Sequence, residues 1–221
     1  ALSQWAYGLT EQNRESIATA SKVANPGCYS TAALLALGPL AKAGVLQPAD
    51  VVISAVSGIS GAGRAGGEGF DFSSANENAR AYSVVGHKHI PEIEQQLDAL
   101  SSGSWRLTFV PHLIPMTRGV LTTCFAEAAP GVSEGDLVDV MNAAYHDELF
   151  VTLAASPETR RLAGTNQAEV GIRFDERTNK VVAIGAIDNL GKGAAGQAVQ
   201  NANLMLGIEE SLGLTTLGMY P

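Results

Sequence analysis

The 221-residue sequence predicts an α+β fold, a mainly antiparallel mixed sheet with helices packed on one face. Apolar residues make up 46% and charged residues 16%, a composition that buries a core and does not stay disordered. Segments rich in β-branched and aromatic residues crowd the middle of the chain, and two of them flank the turn 175–179 as a hairpin. Helical patterns fall between strands, with several antiparallel connections, and no internal repeat or low-complexity tract is present.

In chain order, 5–9 suits a strand or connector with no partner nearby in sequence. Thr10 is placed to cap a helix over 11–20, and 22–24 is a brief strand stopped by Asn25-Pro26-Gly27. The helix over 29–44 is apolar nearly all round (Ala32, Ala33, Leu34, Leu35, Leu37, Leu40), so it is buried, and Pro39 should kink it. A strand at 51–56 leads into a glycine-rich loop, 57–80. A strand at 81–85 and a helix over 90–100 follow, with Pro91 in the helix's first turn. Strands at 105–110 and 119–128 precede a helix over 133–147, capped by Ser133 with Asp136 in the capping-box position. The hairpin strands are 168–174 and 180–187, and 193–206 is the last helix.

Fourteen basic and twenty-two acidic residues give a net charge of −8. No basic stripe is visible, which argues against nucleic-acid binding and leaves a small anionic substrate open. No apolar run reaches the ~18 residues of a membrane span, and no basic-then-apolar leader opens the chain. The two cysteines, Cys28 and Cys124, are not a disulfide framework, so a reducing cytoplasm is the expected compartment.

Cys28 follows a strand and tight turn and opens an apolar helix, where free N–H groups and the dipole favour an anion. Its pKa should be depressed, giving a thiolate nucleophile. Cys124 lies in a strand and belongs to the core. A nucleophilic thiol needs an acid/base partner, and the histidines are His87, His89, His112 and His146. His146 ends a helix and is structural; His112, between Pro111 and Leu113, fits either core or site. His87 and His89 flank Lys88 after a strand, and in an extended segment both rings would share a face. No further Cys/His cluster completes a metal site around them.

Gly61-Ala62-Gly63-Arg64-Ala65-Gly66 matches a dinucleotide-loop pattern, but no amphipathic helix follows. That loop can instead lay backbone N–H groups and the Arg64 guanidinium around an anion. Gly191-Lys192-Gly193-Ala194-Ala195-Gly196 repeats the pattern with a strand before and a helix after, yet no second strand follows. A complete Rossmann unit is therefore not expected in these residues.

Six segments in order resemble N-acetyl-gamma-glutamyl-phosphate reductases. They are Trp5-Ala6-Tyr7-Gly8-Leu9-Thr10-Glu11, Ala24-Asn25-Pro26-Gly27-Cys28-Tyr29, Ser57-Gly58-Ile59-Ser60-Gly61-Ala62-Gly63-Arg64, His87-Lys88-His89-Ile90-Pro91-Glu92, Val110-Pro111-His112-Leu113-Ile114-Pro115-Met116-Thr117-Arg118-Gly119 and Asp188-Asn189-Leu190-Gly191-Lys192-Gly193-Ala194-Ala195-Gly196-Gln197-Ala198-Val199-Gln200. That family is similar to aspartate-semialdehyde dehydrogenase in fold and chemistry. The resemblance implies a glyceraldehyde-3-phosphate-dehydrogenase-like C-terminal domain. It implies that 1–24 ends a cofactor domain and its connector, that 25–190 is the catalytic, substrate-binding and dimerising domain, and that 191–221 is a helix returning to the cofactor domain. Members begin with a Rossmann domain that these residues lack, so most of the NADP(H) site would lie outside this chain. Lys88 stands where the family often has arginine.

The chemistry so implied is NADPH-dependent reduction of N-acetyl-gamma-glutamyl phosphate through a cysteine thioester, in arginine biosynthesis; the alternatives are an acyl phosphate reductase of the aspartate-semialdehyde dehydrogenase type and a catalytically idle dimerisation domain. Cys28 is the implied nucleophile and His87 the general acid. Arg64, His89, Arg118, Ser57 and Asn25 are implied to bind substrate. Asn189, Gly27, Gly58, Gly61, Gly191 and Gly193 are implied to edge the cofactor. The expected partners are the small acyl phosphate and further copies of the chain, as a dimer or tetramer.

Overall fold

The computed structural model describes residues 4–63 and 69–219. The chain begins with strand β1 (Ala6–Tyr7), helix α1 (Thr10–Thr19) and strand β2 (Val23–Ala24). β1 pairs with β2 in parallel, so the opening segment finds its partner across one helix. α1 starts at Thr10, whose side chain does not cap it; the Oγ1 hydroxyl donates to Asn201 Oδ1 at 2.9 Å. The expected cap fails because Thr10 is fully buried and takes a tertiary partner.

Helix α2 (Cys28–Lys42) is the centre of the molecule, with residues 29–38 all buried. It runs through Pro39 as one element. Pro39 removes the bond that the Leu35 carbonyl would accept. Tyr145 replaces it, its hydroxyl donating to Leu35 O at 2.6 Å. Tyr145→Phe therefore strands a buried carbonyl, and denaturant melts should show a loss of about 1–3 kcal/mol.

The main sheet has seven strands in the order β4-β5-β3-β6-β9-β8-β7. These are β3 (Asp50–Ser57), β4 (Arg80–Ala81), β5 (Arg106–Leu113), β6 (Val120–Glu127), β7 (Val151–Leu153), β8 (Ala168–Asp175) and β9 (Lys180–Ile187). Only β3–β5 and β7–β8 are parallel; the other junctions are antiparallel, as the sequence predicts. The short helix α3 (Phe72–Ala75) precedes β4, and α4 (Ile90–Leu100) and α5 (Glu134–Tyr145) pack beside α2. The capping box at Ser133 and Asp136 forms as expected.

Two expectations are corrected and one strand, β7, is added. The strand at 81–85 stops at Ala81, and positive φ at Ser83 (44°) and Val85 (56°) turns the chain into 87–89. β5 continues through Pro111 to Leu113, because Pro111 needs no N–H where its carbonyl is the paired group, accepting from Tyr82 N. β7, only three residues long, carries no recognisable alternation.

α2 sits directly on β9 because Gly185 has no side chain there. A Cβ at Gly185 would strike the Ala32 carbonyl. Ala32 lies one turn beyond Cys28, so this close approach holds the start of α2 at the sheet. The opposite sheet face carries Val52 between Thr108 and Phe125, Ser54 between Val110 and Thr123, and Val56 between His112 and Leu121. Val52 and Phe125 are 42% and 37% exposed on it. Among the described residues no helix is long and apolar enough to cross a membrane.

Candidate active site

Cys28 is the first residue of α2, after Gly27. The expected depression of its pKa is not found: burial pushes the thiol up. The Tyr29 and Cys28 N–H groups and the Lys88 charge act in the opposite direction without overcoming it. The helix start does what the sequence suggests, but the desolvation is larger. Cys28 therefore rests as a thiol.

The 87–89 segment is a turn entering α4, and both histidines are buried. Their rings lie 4.7 Å apart. His87 is ringed by Tyr29, Tyr82 and Phe109 at 5.5, 5.8 and 5.1 Å. Burial, then His89 and Lys88, lowers its pKa to about 4. The His89 N–H donates to His87 Nδ1 at 3.2 Å, which leaves the ring proton of neutral His87 on Nε2. His89 is also shifted down by burial, against the pull of Glu92. Its ring lies against Gly27, where any Cβ would collide with it, and its Nδ1 has no partner among the described residues.

These depressed values carry a stability signature. The unfolded histidines, near 6.5, bind protons that the folded ones refuse. Their contribution is complete above pH 6.5 and is lost as pH falls towards 4. The melting temperature should therefore drop over that window, and His87→Gln should flatten the drop.

Cys28, His87 and His89 share a cleft of about 540 Å³. Ser57, Asn25, Gly27, Gly61, Asn189 and Gly193 line it too. Ser57 Oγ donates to the Gly58 carbonyl. Asn25 Nδ2 donates to Ala194 O, and its Oδ1 accepts from Asn201. Asn189 is a clamp, accepting from Gly119 N at 2.6 Å and donating to Ser60 Oγ at 2.9 Å. Gly193 lies so close that its Cβ would stand 2.8 Å from Cys28 Cβ.

Three expected residues lie elsewhere. Gly58 backs onto 116–118 and lines a neighbouring chamber. Gly191 packs on the Thr165 carbonyl. Arg118 Nε pairs with the buried Asp188 carboxylate at 2.9 Å, beside the cleft and not in its lining. Arg64 falls outside the described residues.

The neighbouring chamber, about 590 Å³, shares Ser57, Gly61, Tyr82, His87 and Lys88 with the cleft. It adds Arg80, which the sequence reading missed. Arg80 donates to Gly69 O and covers the Phe70 ring at 5.5 Å, and its buried Nε has no partner among the described residues. Tyr29 and Tyr82 were missed as well; their hydroxyls share a hydrogen bond of 3.0 Å. The available signal was position, since Arg80 and Tyr82 lie on the connection that delivers His87.

A family model, semialdehyde dehydrogenase dimerisation domain, matches residues 28–189. The chain belongs to that family. The semialdehyde dehydrogenase dimerisation domain here therefore starts at the candidate nucleophile and ends at the Asn189 clamp. N-acetyl-gamma-glutamyl-phosphate reductase from Geobacillus stearothermophilus is 48% identical over the whole chain, and the one from Shouchella clausii is also 48% identical. The chain spans about 65% of the length of the Geobacillus protein. Aspartate semialdehyde dehydrogenase II from Vibrio cholerae has the same fold, with a TM-score of 0.74 at 20% identity over 93% of this chain and 69% of that one.

Proposed function

We propose that this dimerisation domain carries the thioester chemistry of an N-acetyl-gamma-glutamyl-phosphate reductase, in arginine biosynthesis and in the cytoplasm. The observation that supports this most is the union of a helix-opening cysteine, two neutral histidines and a cation-bearing chamber. The near-half identity to reductases of that name supports this choice of substrate.

Cys28 Sγ attacks the acyl carbon, the carbon–oxygen bond to phosphate breaks, and inorganic phosphate leaves a thioester behind. His89, whose Nε2 edge lies against Gly27 next to Cys28, takes the thiol proton in this reading. His87 presents Nε2–H to the oxygen that gains charge. Lys88 and Arg80 face the anionic ends of the substrate, since a guanidinium pairs bidentately with carboxylate or phosphate. Arg118 acts behind them by holding Asp188.

The cofactor edge fits a flat group. Gly193, Ala194, Ala195 and Ala198 offer a wall of small residues next to Cys28, and a Cβ at Gly193 would close it. Bound NADP(H) would supply the hydride that converts the thioester to N-acetylglutamate semialdehyde. Most of its site lies outside these residues in this reading. So does the domain to which 1–24 and 191–221 return.

The test is intact mass after mixing the chain with N-acetyl-gamma-glutamyl phosphate and no cofactor, with aspartyl phosphate in parallel. An acetylglutamyl adduct, weak with aspartyl phosphate, is expected. Equal labelling by both would remove the substrate assignment.

The bare sheet face around Val52 and Phe125 is where a second copy docks in this reading. Phe125→Lys should weaken association by about 2 kcal/mol or more, read as a smaller species in sedimentation with an unchanged circular dichroism spectrum.

A further inference from the structure

Lys192 is fully buried, and no step above uses it. Its ammonium donates to Glu11 Oε1 on α1 and to Gln200 Oε1, and lies 5.8 Å from the centre of the Phe150 ring. The Glu11 side chain is buried to the same degree. Taking two such charges from water costs several kcal/mol per ion, and apolar replacements of like volume are often neutral or stabilising. Stability is thus a poor reason for this pair.

Geometry is a better one. Lys192 is the second residue of a π-turn, Gly191–Ala195, which opens helix α6 (Gly196–Met205). The bonds from Gly193 N to Asp188 O and from Ala195 N to Leu190 O span five residues, an arrangement less favourable than the α-helical one and frequent at functional sites. The very next residue, Gly193, is the one packed on Cys28. The Lys192 carbonyl accepts from Gln197, whose amide also reaches Thr31 on α2. Ala194 O accepts from Asn25, just ahead of Cys28. The turn is therefore fixed to the nucleophile on one side, while the Lys192 side chain carries it to α1 on the other.

We propose that Lys192 is a positioning residue. Its bond to Glu11 pins the Gly191–Ala195 turn, so that the Gly193 backbone stays against Cys28 and sets access to its sulfur. This deepens the reading of Cys28 as nucleophile and rests on it. Lys192 does not line the cleft, so it acts through Gly193. Without the pair, the turn can relax towards α-helical bonding and withdraw from the thiol.

The test compares the parent chain with Lys192→Met and with the Lys192→Met/Glu11→Met double variant, which trades the pair for apolar volume. Iodoacetamide labelling of Cys28 is followed by mass, with buried Cys124 as the silent thiol. Thermal midpoint and hydrogen exchange at the Gly193 and Ala195 amides are measured alongside. The double variant should melt no lower than the parent, yet label Cys28 about tenfold faster and exchange those amides faster. Labelling and exchange at parental rates in the folded variant would overturn the proposal, whatever the midpoint does. If the double variant does not fold, Glu11→Gln decides by the same two rates, faster supporting and parental overturning. No substrate enters these readouts, so a failure of Cys28 to acylate is a separate result.

Discussion

Cys28→Ser folds like the parent and loses acylation by a factor of about 10⁴ or more. The loss is this large because a serine hydroxyl is a far weaker acid and nucleophile than a thiol. The fold survives because the change is near-isosteric. Sγ is served by the Cys28 and Tyr29 backbone N–H groups, which a hydroxyl can also use. Intact mass with the acyl phosphate reads the loss, and peptide mapping of the parent places the adduct. Cys124 cannot compete, because it is fully buried between α2 and the sheet with its pKa pushed up to about 12. An adduct that persists in the serine protein would sink the nucleophile assignment. The raised pKa of Cys28 adds a second signature. Its alkylation rate should still be climbing above pH 9, the ordinary thiol value, where a depressed cysteine would already have levelled off.

His87→Ala should slow acylation by about 10² to 10⁴ with little change in the amount of substrate bound. The hydrogen bond from His89 N holds Nδ1, so Nε2–H is the donor that the variant removes. His87 stays neutral down to about pH 4, so it contributes no inflection near 6.5 to the pH–rate profile. A profile that loses an inflection near 6.5 in His87→Ala would show a charged imidazole at work and overturn the neutral-donor role. His89→Ala probes the base instead, and should move acylation to higher pH, where Cys28 ionises without it.

Much of the architecture was legible before any coordinates. The strands at β6, β8 and β9, the buried helix and the Ser133 capping box are short-range events, decided by alternation, periodicity and capping within a dozen residues. The candidate nucleophile is legible for the same reason, since the strand, Asn-Pro-Gly turn and helix start around Cys28 are contiguous. The failures share a cause. Local preference favours a cap at Thr10 and a strand through Val85, and there a distant partner and a turn override it.

Residue type and local pattern thus settle which segments are helix or strand and which cysteine opens a helix. Burial and long-range pairing belong to the tertiary structure. Packing makes the Cys28 thiol harder to ionise, because desolvation depends on every atom around it and not on the helix start alone. Packing also brings Arg80 beside the cleft and draws Arg118 into a pair with Asp188. It seals Lys192 against Glu11, 181 positions away in sequence, a partnership that no local pattern in the chain encodes.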